Sequence, residues 1–214
     1  MLAQALSTAS RSTSRSGLSS RPPGRANTSP SARRASRTRD WMVSTARREA
    51  VESACQSIYS AAQSDPSLAG MGTTVTAAIL SGPNAFVAHV GDSRCYLARR
   101  GHIYQVSEDH SLVNEQLKAG AITADEARHS RFKNIITRSV GFEADVTVDM
   151  MGLEVEAGDR LVLCCDGLSN LVEDDEILDL VTRATLDDAP GELIALANQR
   201  GGDDNITVIV VHVT

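Results

Sequence analysis

The sequence AFVAHVGDSRCYLARRGHIYQV, residues 85–106, contains three apolar runs that are separated by turn residues. These runs, Ala85–Val90, Cys95–Ala98 and Ile103–Val106, predict three successive β-strands. The last two strands are joined by a hairpin signature in which Gly101 stands at the left-handed position. Two strands that are joined by such a short turn pair antiparallel, so the stretch predicts an antiparallel sheet.

The segments on either side of this stretch decide the fold class. Helical spacing of apolar residues or turn chemistry predicts helices over residues 45–63, 110–130, 174–184 and 189–199. Apolar and β-branched runs predict further strands at Thr73–Leu80, Val146–Met151, Asp159–Cys165 and Ile206–Val213. Strands come in sequence with few crossover helices, whereas helices cluster at the ends and in one insert. This order favours an α+β fold with antiparallel sheets over a doubly wound parallel sheet.

Charge is distributed unevenly along the 214 residues. Residues 1–39 carry eight arginines, ten serines and no acidic side chain, whereas residues 40–214 have a net charge of −14. A segment so poor in large apolar residues cannot offset its ordering entropy by burial. We therefore expect a disordered Ser/Arg-rich tail over residues 1–44 and one domain over residues 45–214. A targeting segment, a misframed sequence from a poorly chosen translation start and a nucleic-acid-binding tail are the alternatives, and the acidic body argues against nucleic acid as a partner.

Four cysteines and the absence of a long apolar run limit the cellular context. Cys164 and Cys165 are adjacent, whereas Cys55 and Cys95 are remote, which matches neither a disulfide framework nor a zinc motif. We expect all four to be reduced, buried and apolar in a cytoplasmic protein. No apolar run approaches the ~18 residues that a transmembrane helix needs.

Three aspartates within two residues of a glycine stand at the ends of predicted strands. Asp92 follows Ala85–Val90, Asp166 follows the strand that ends at Cys165, and Asp204 precedes the last strand. If those last two strands pair antiparallel, Asp166 and Asp204 lie side by side. Two carboxylates that close repel each other unless one is protonated or a cation lies between them. Oxygen ligands without His or Cys suit Mg²⁺ or Mn²⁺.

Each aspartate also has a purely structural explanation. Asp-Gly is a common turn dipeptide, so Asp166 alone is compatible with a simple turn. Asp92 could pair with Arg94, and Asp204 could cap a turn. Only the joint placement of the three at strand ends indicates a metal site.

Collinear motifs along residues 45–214 resemble the PP2C-type (PPM) metal-dependent serine/threonine protein phosphatases, and most closely the compact bacterial members. The motifs are GMGTT at 70–74, VAHVGDSR at 87–94, DHS at 109–111, ITRSVG at 136–141, CDGLS at 165–169 and GGDDNIT at 201–207. The resemblance implies an α-β-β-α sandwich of two antiparallel sheets flanked by helices. It also implies that a flap beside the active site spans residues 110–135.

The resemblance assigns metal-binding roles to the three aspartates. Asp166 and Asp204 would bind the first metal, and Asp92 with Asp166 a weaker third one, with Gly91, Gly167, Ser93 and Asn205 as supporting residues. Two to three Mn²⁺ or Mg²⁺ ions would activate water for direct attack on phosphorus. Because no phosphoenzyme is needed, neither cysteine of the Cys164–Cys165 pair would be a nucleophile.

One part of the family pattern is not found in this sequence. The family begins with a strand that carries an arginine and Asn-Glu-Asp, followed by Asp-Gly-x-Gly-Gly, which supply a phosphate-binding arginine and a bridging metal ligand. We therefore expect the N-terminal strands to be missing or replaced and the sheet edges to be exposed. The function that the resemblance implies is metal-dependent hydrolysis of phosphoserine and phosphothreonine in proteins by a monomer that opposes a Ser/Thr kinase. The alternative is a non-catalytic module that binds phosphoproteins or a kinase.

Overall fold

The structure, a computed structural model, describes residues 48–202 and 204–214, and two antiparallel sheets face each other at its centre. The strands are β1 (Val75–Ser81), β2 (Asn84–Val90), β3 (Arg94–Arg99), β4 (His102–Gln105), β5 (Asp149–Glu154), β6 (Arg160–Cys164) and β7 (Val208–His212). One sheet has the order β1-β2-β5 and the other the order β4-β3-β6-β7. All pairs are antiparallel, as the strand order along the sequence predicts.

The four predicted helical segments contain helices in the described residues, and the structure adds one short helix, Asp166–Ser169, that the sequence did not predict. Helix α1 occupies the described residues 48–64, and a 3₁₀ turn follows at Pro66–Leu68. The others are α2 (Leu112–Lys118), α3 (Ala124–Arg128), α4 (Asp166–Ser169), α5 (Asp174–Arg183) and α6 (Ala189–Gln199). The helical segment predicted over residues 110–130 is thus two short helices, and α3 begins at the Thr123 cap, whose side chain and Glu126 form a capping box.

Alternating side chains of the four-stranded sheet build two cores on its two faces. From β3, Tyr96 and Ala98 pack against buried residues of α5 and α6, whereas Cys95 and Leu97 point to the other sheet. On β2, Ala85 and Val87 face the four-stranded sheet. This period of two places one core between the sheets and one beneath the helices.

Helix α1 covers the outer face of the three-stranded sheet. Its buried Cys55 packs with Ala88 and Val90 of β2, and Val51 and Ile58 lie against the same cluster. The layers are therefore helix, sheet, sheet and helix. The predicted α-β-β-α sandwich is confirmed.

The β3–β4 hairpin turns through two residues. Arg100 has φ 51° and Gly101 has φ 78°, so both adopt left-handed conformations, as a type I′ turn requires. The position of Gly101 agrees with the sequence, but the left-handed arginine beside it was not predicted.

Two of the strands whose ends differ from the prediction show the reason. The strand expected at Val146–Met151 is Asp149–Glu154, because its ladder with β2 begins at the pair His89 and Asp149. The last strand begins at Val208 and not at Ile206, since the Thr207 N–H donates to the Cys165 thiol and not to a ladder. In both cases a tertiary contact sets the strand end.

Three further predictions concern exposed sheet edges, the N-terminal tail and transmembrane helices. Within the described residues, β1 and β5 are the edge strands of one sheet and β4 and β7 those of the other, and Ile79 of β1 is 47% exposed. The predicted tail over residues 1–44 lies outside the described residues. In the part of the chain that the structure describes, no helix has both the length and the apolar character needed to cross a membrane.

The connection between β5 and β6 is held by a buried ion pair. The Asp159 side chain is almost fully buried and accepts hydrogen bonds from Arg99 at 2.8 and 2.5 Å and from the Glu156 N–H at 2.8 Å. The Arg99 guanidinium holds the pKa of Asp159 below its ordinary value. This carboxylate therefore stabilises the fold in its ionised form.

We predict that Asp159→Asn lowers the free energy of unfolding by about 1–3 kcal/mol at neutral pH, because the buried carboxylate no longer pairs with Arg99, which is partly exposed and keeps Glu156 at 3.7 Å. The native pKa is depressed, so this stabilisation is present above the unfolded pKa of about 4 and is lost as pH falls through the native value. Urea unfolding at pH 7 and at pH 3 measures the difference between wild type and variant, which should shrink in acid.

The matched control is Asp179→Asn. Asp179 forms an exposed pair with Arg183 within helix α5, at 3.1 Å. Pairs of this kind contribute about 0.5 kcal/mol or less. Equal losses in the two variants would contradict a special role for Asp159.

Candidate metal centre

The pairing of β6 with β7 brings two of the predicted ligands to one edge of the four-stranded sheet. The register places Cys164 opposite Val208, so the chain leaving β6 and the chain entering β7 are neighbours. Asp166 is the first residue of α4, directly after β6, and Asp204 lies in the loop that leads into β7. The predicted antiparallel neighbourhood of these two strand ends is confirmed.

Cys165 fastens the Asp204 loop to the end of β6. Its thiol donates to the Asn205 carbonyl oxygen at 3.1 Å and accepts the Thr207 N–H at 3.2 Å. Its backbone N–H also donates to the Thr207 carbonyl oxygen at 3.2 Å. Three contacts thus hold residues 205–207 against the residue before Asp166.

Gly167 allows the same loop to approach the start of α4. A Cβ atom at this position would lie 2.5 Å from the Asn205 carbonyl oxygen, closer than real Cβ contacts occur. Gly167 is buried, and no side chain fits between the two segments. This close approach confines Asp166 and Asp204 to one small region.

Asp92 lies in the short link between β2 and β3, which belong to different sheets. The residues on either side of it, Gly91 and Ser93, are held in place by contacts. Gly91 has φ 113°, and a Cβ there would lie 2.3 Å from Thr74 Cγ2, so only glycine is accommodated. On the other side, the Ser93 hydroxyl lies 3.0 Å from the Thr74 hydroxyl. The predicted supporting residues Gly91 and Ser93 therefore both contact Thr74.

The electrostatics of the three aspartates show which ones interact. Burial, followed by repulsion from Asp166, raises the pKa of Asp92 to about 6. Burial, followed by repulsion from Asp204, raises the pKa of Asp166, while the nearby Lys133 works in the opposite direction. Asp166 is thus the shared member of two carboxylate pairs.

This arrangement suits two sites of two carboxylates each. Within residues 48–202 and 204–214, no group of three or more His, Cys, Asp or Glu side chains is close enough to hold an ion as a ready-made cluster. The repulsion between the paired carboxylates is the kind that a divalent cation relieves, and their oxygens are the ligands that Mg²⁺ and Mn²⁺ prefer. The donor set therefore fits hard divalent ions.

Asp92 does not form the predicted alternative ion pair with Arg94. Arg94 is held by Asp109, with Nε–O distances of 3.0 Å and an Nη2–Oδ2 distance of 2.7 Å, and it also donates to the Tyr96 hydroxyl. Gln105 donates to the same Asp109 carboxylate. Arg94 is thus the ionic partner of Asp109, and although its charge lowers the pKa of Asp92, burial and the charges of Asp166 and Asp109 raise it.

Two features of the site were not predicted from the sequence. Cys165 was expected to be a buried apolar residue, but it is only partly buried and holds the Asp204 loop. The other three cysteines, Cys55, Cys95 and Cys164, are buried as expected, and all four are free. Thr74 lies within the predicted strand Thr73–Leu80, and its contacts to the link around Asp92 were not predicted. The sequence signals that could have indicated these two roles are the position of Thr74 at the start of that strand and that of Cys165 directly before Asp166.

Known proteins resemble this chain in sequence and in fold. Residues 15–119 match the family model described as Protein phosphatase 2C. A protein phosphatase 2C-type protein of Streptococcus pyogenes is 44% identical over 178 residues, which are 83% of this chain and 70% of that protein. The solved serine/threonine phosphatase of S. agalactiae is 44% identical with a TM-score of 0.75, and the match covers 84% of this chain and 72% of that one.

A further solved structure bears on the metal. The catalytic domain of the serine/threonine protein phosphatase PstP, solved in complex with two manganese ions, is 36% identical with a TM-score of 0.67. That match covers 73% of this chain and 65% of the PstP chain. Its ions are of the type that the aspartates of this chain suit.

We predict that Gly167→Ala weakens Mn²⁺ binding and lowers the free energy of unfolding by about 1–3 kcal/mol. The added methyl group would push the Asn205 carbonyl oxygen, and with it Asp204, away from Asp166. Titration calorimetry with Mn²⁺ and thermal unfolding measure the two effects.

Gly191→Ala is the matched control. Gly191 lies in helix α6, and a Cβ there meets no atom within 4 Å. Alanine is favoured over glycine in a helix by up to about 1 kcal/mol, so this variant should be slightly more stable and bind Mn²⁺ normally. Normal Mn²⁺ binding by Gly167→Ala would contradict the role of the close approach.

Proposed function

The chain belongs to the PP2C family of serine/threonine protein phosphatases, which hydrolyse phosphoserine and phosphothreonine in proteins, and we propose that Asp166, Asp204 and Asp92 are its metal ligands. The observation that carries the proposal is the antiparallel register of β6 and β7, which brings the chain segments of Asp166 and Asp204 together; the raised pKa values of Asp92 and Asp166 agree with it. In this proposal Asp166 and Asp204 bind the first metal, and Asp92 with Asp166 binds the weaker third one.

The protein's own groups provide position and charge at this site. The Cys165 contacts and the close approach at Gly167 hold Asp204 beside Asp166, and the Thr74 contacts hold the Asp92 link. Bound Mn²⁺ or Mg²⁺ supplies Lewis-acid activation of water and charge stabilisation of the phosphoryl oxygens. Carboxylates held in place before the ions arrive cost little reorganisation when charge develops in the reaction.

The cysteines near the site are poor nucleophiles. Burial raises the pKa of both Cys95 and Cys164 to about 12, so neither is a thiolate at neutral pH. The thiol of Cys165 is engaged between Asn205 and Thr207. These features support direct hydrolysis without a phosphocysteine.

The substrates and the setting follow from the same proposal. The substrates are phosphoproteins, including those that a Ser/Thr kinase modifies, and the protein acts as a monomer in the cytoplasm. The four free cysteines support a reducing compartment. The acidic charge of residues 40–214 is unsuited to nucleic acid. The division into a tail over residues 1–44 and a domain over residues 45–214 stays a prediction.

The non-catalytic alternative is not favoured, because the relatives that match over most of this chain are named as phosphatases. A binding module would also have no need for paired carboxylates with raised pKa values. Turnover in the presence of metal distinguishes the two functions directly.

We predict Mn²⁺-dependent hydrolysis of p-nitrophenyl phosphate and of a phosphothreonine peptide by the full chain. Asp166→Asn should reduce turnover by more than about 100-fold, because it removes the ligand that both sites share, and the partners of metal ligands alone contribute 10–100-fold. Steady-state kinetics over a range of Mn²⁺ concentrations, together with Mn²⁺ titration calorimetry, measure both consequences.

Asp187→Asn serves as the control substitution, since Asp187 is exposed in the loop between α5 and α6. It should leave turnover and Mn²⁺ binding at the wild-type level. An unchanged Mn²⁺ titration in folded Asp166→Asn would show that the site assignment is wrong. Mn²⁺ binding with no turnover in the wild type would instead favour the binding module.

A further inference from the structure

His110 lies beneath the link that carries Asp92 and holds the residue before it. The side chain is buried, and its Nδ1 accepts the Gly91 N–H at 3.0 Å. The backbone N–H of His110 donates to the Gly91 carbonyl oxygen at 2.7 Å. Both polar backbone groups of Gly91 are therefore bound by one residue that is distant in sequence.

The other side of the ring is anchored on the three-stranded sheet. The Nε2 atom of His110 lies 3.0 Å from Asp149 Oδ2, on strand β5. The Gly91 N–H can only donate, so Nδ1 is its acceptor, and Nε2 faces both the Asp149 carboxylate and Arg138 Nη1, which lies 2.9 Å away. These contacts on both nitrogens fix the orientation of the ring.

Arg138 completes the anchor. Its Nη1 donates to Asp149 Oδ1 at 2.8 Å and to the Thr147 carbonyl oxygen at 3.2 Å. Although burial opposes ionisation, the hydrogen bonds from His110 and Arg138 hold the pKa of Asp149 below its ordinary value. An ionised Asp149 is thus available as a permanent acceptor for the ring.

The link that carries Asp92 is consequently enclosed from two sides. Thr74 leaves no room for a Cβ at Gly91, and its hydroxyl contacts the Ser93 hydroxyl. His110, which precedes helix α2, hydrogen bonds to the Gly91 backbone. The direction in which the Asp92 carboxylate leaves the chain depends on this backbone. A shift of about 1 Å in a ligand is enough to disturb a metal site or a reaction.

We propose that His110 is a positioning residue for Asp92, holding the Gly91 backbone so that the Asp92 carboxylate stays within reach of the ion that it shares with Asp166. The inference rests on the proposed role of Asp92 as a ligand of the weaker site. His110 itself binds no metal and no substrate, and it acts through the peptide groups of Gly91. Asp149 and Arg138 act one step further out by fixing the ring.

The test measures Mn²⁺ binding by the full chain, with electron paramagnetic resonance of free Mn²⁺ resolving the stronger and the weaker site. His110→Leu removes the acceptor for the Gly91 N–H and should weaken only the weaker site, by about 10–100-fold. His110→Asn places an amide oxygen near the position of Nδ1 and should lose less affinity. His102→Asn, on the exposed β3–β4 hairpin, is the matched control and should bind as the wild type does.

A double-mutant cycle separates positioning from general loss of structure. In the Asp92→Asn background the weaker site is already removed, so His110→Leu should cause no further loss of Mn²⁺ binding. Asp149→Ala, in which His110 is intact, should reproduce part of the effect by releasing the ring. This variant keeps the inference testable if His110→Leu fails to fold.

The outcomes distinguish this inference from the function on which it rests. Wild-type Mn²⁺ binding in folded His110→Leu or, if that variant does not fold, in both His110→Asn and Asp149→Ala would overturn the positioning role. Equal weakening of both sites, or a loss that adds to that of Asp92→Asn, would overturn it as well. If Asp92→Asn alone leaves the Mn²⁺ titration unchanged, the assignment of Asp92 as a ligand is wrong, and the positioning role goes with it.

Discussion

The antiparallel pairing of β6 with β7 is the constraint on which the site depends. It places the end of one strand beside the start of the other, and the loop before β7 then packs on Gly167 and hydrogen bonds to Cys165. The packing draws two carboxylates together and buries one of them in part, at an electrostatic cost that is visible in the raised pKa of Asp166. The sandwich supplies the rigidity that sustains this cost, because both faces of the four-stranded sheet are covered by core residues.

The link between the two sheets carries the third aspartate, and its environment explains how the backbone on both sides of Asp92 is held. Strand β2 ends at Val90 in the three-stranded sheet and strand β3 begins at Arg94 in the other, so the chain crosses from sheet to sheet at Asp92. The strands fix only the two ends of this link, so the backbone between them needs further contacts to adopt one conformation. Contacts to Thr74 on one side and to His110 on the other fix its backbone, and Asp92 is thereby directed toward Asp166.

Local sequence patterns predict most of the helices and strands, but fewer of the contacts between them. The strands around Gly101, the helices α5 and α6 and the juxtaposition of Asp166 with Asp204 follow from period, turn chemistry and strand direction. The strand ends at Asp149 and Val208 did not follow, because pairing partners and a thiol contact set them. The engagement of Cys165 and of His110 also escaped prediction, since each involves hydrogen bonds to residues 19 to 42 positions away in the chain.

The sequence by itself determined the layers of this protein, the family to which it belongs and the three aspartates at the strand ends. These depend on local patterns of apolar residues, glycines and acids that any chain segment carries with it. Only the tertiary structure decided that Asp166 interacts with both other aspartates and that Arg94 is bound to Asp109 and not to Asp92. It also decided that Thr74, His110 and Cys165 contact the residues next to Asp92 and Asp204. The physical reason is that electrostatic coupling and hydrogen bonding act over a few ångströms of space, and the folded chain alone sets those distances.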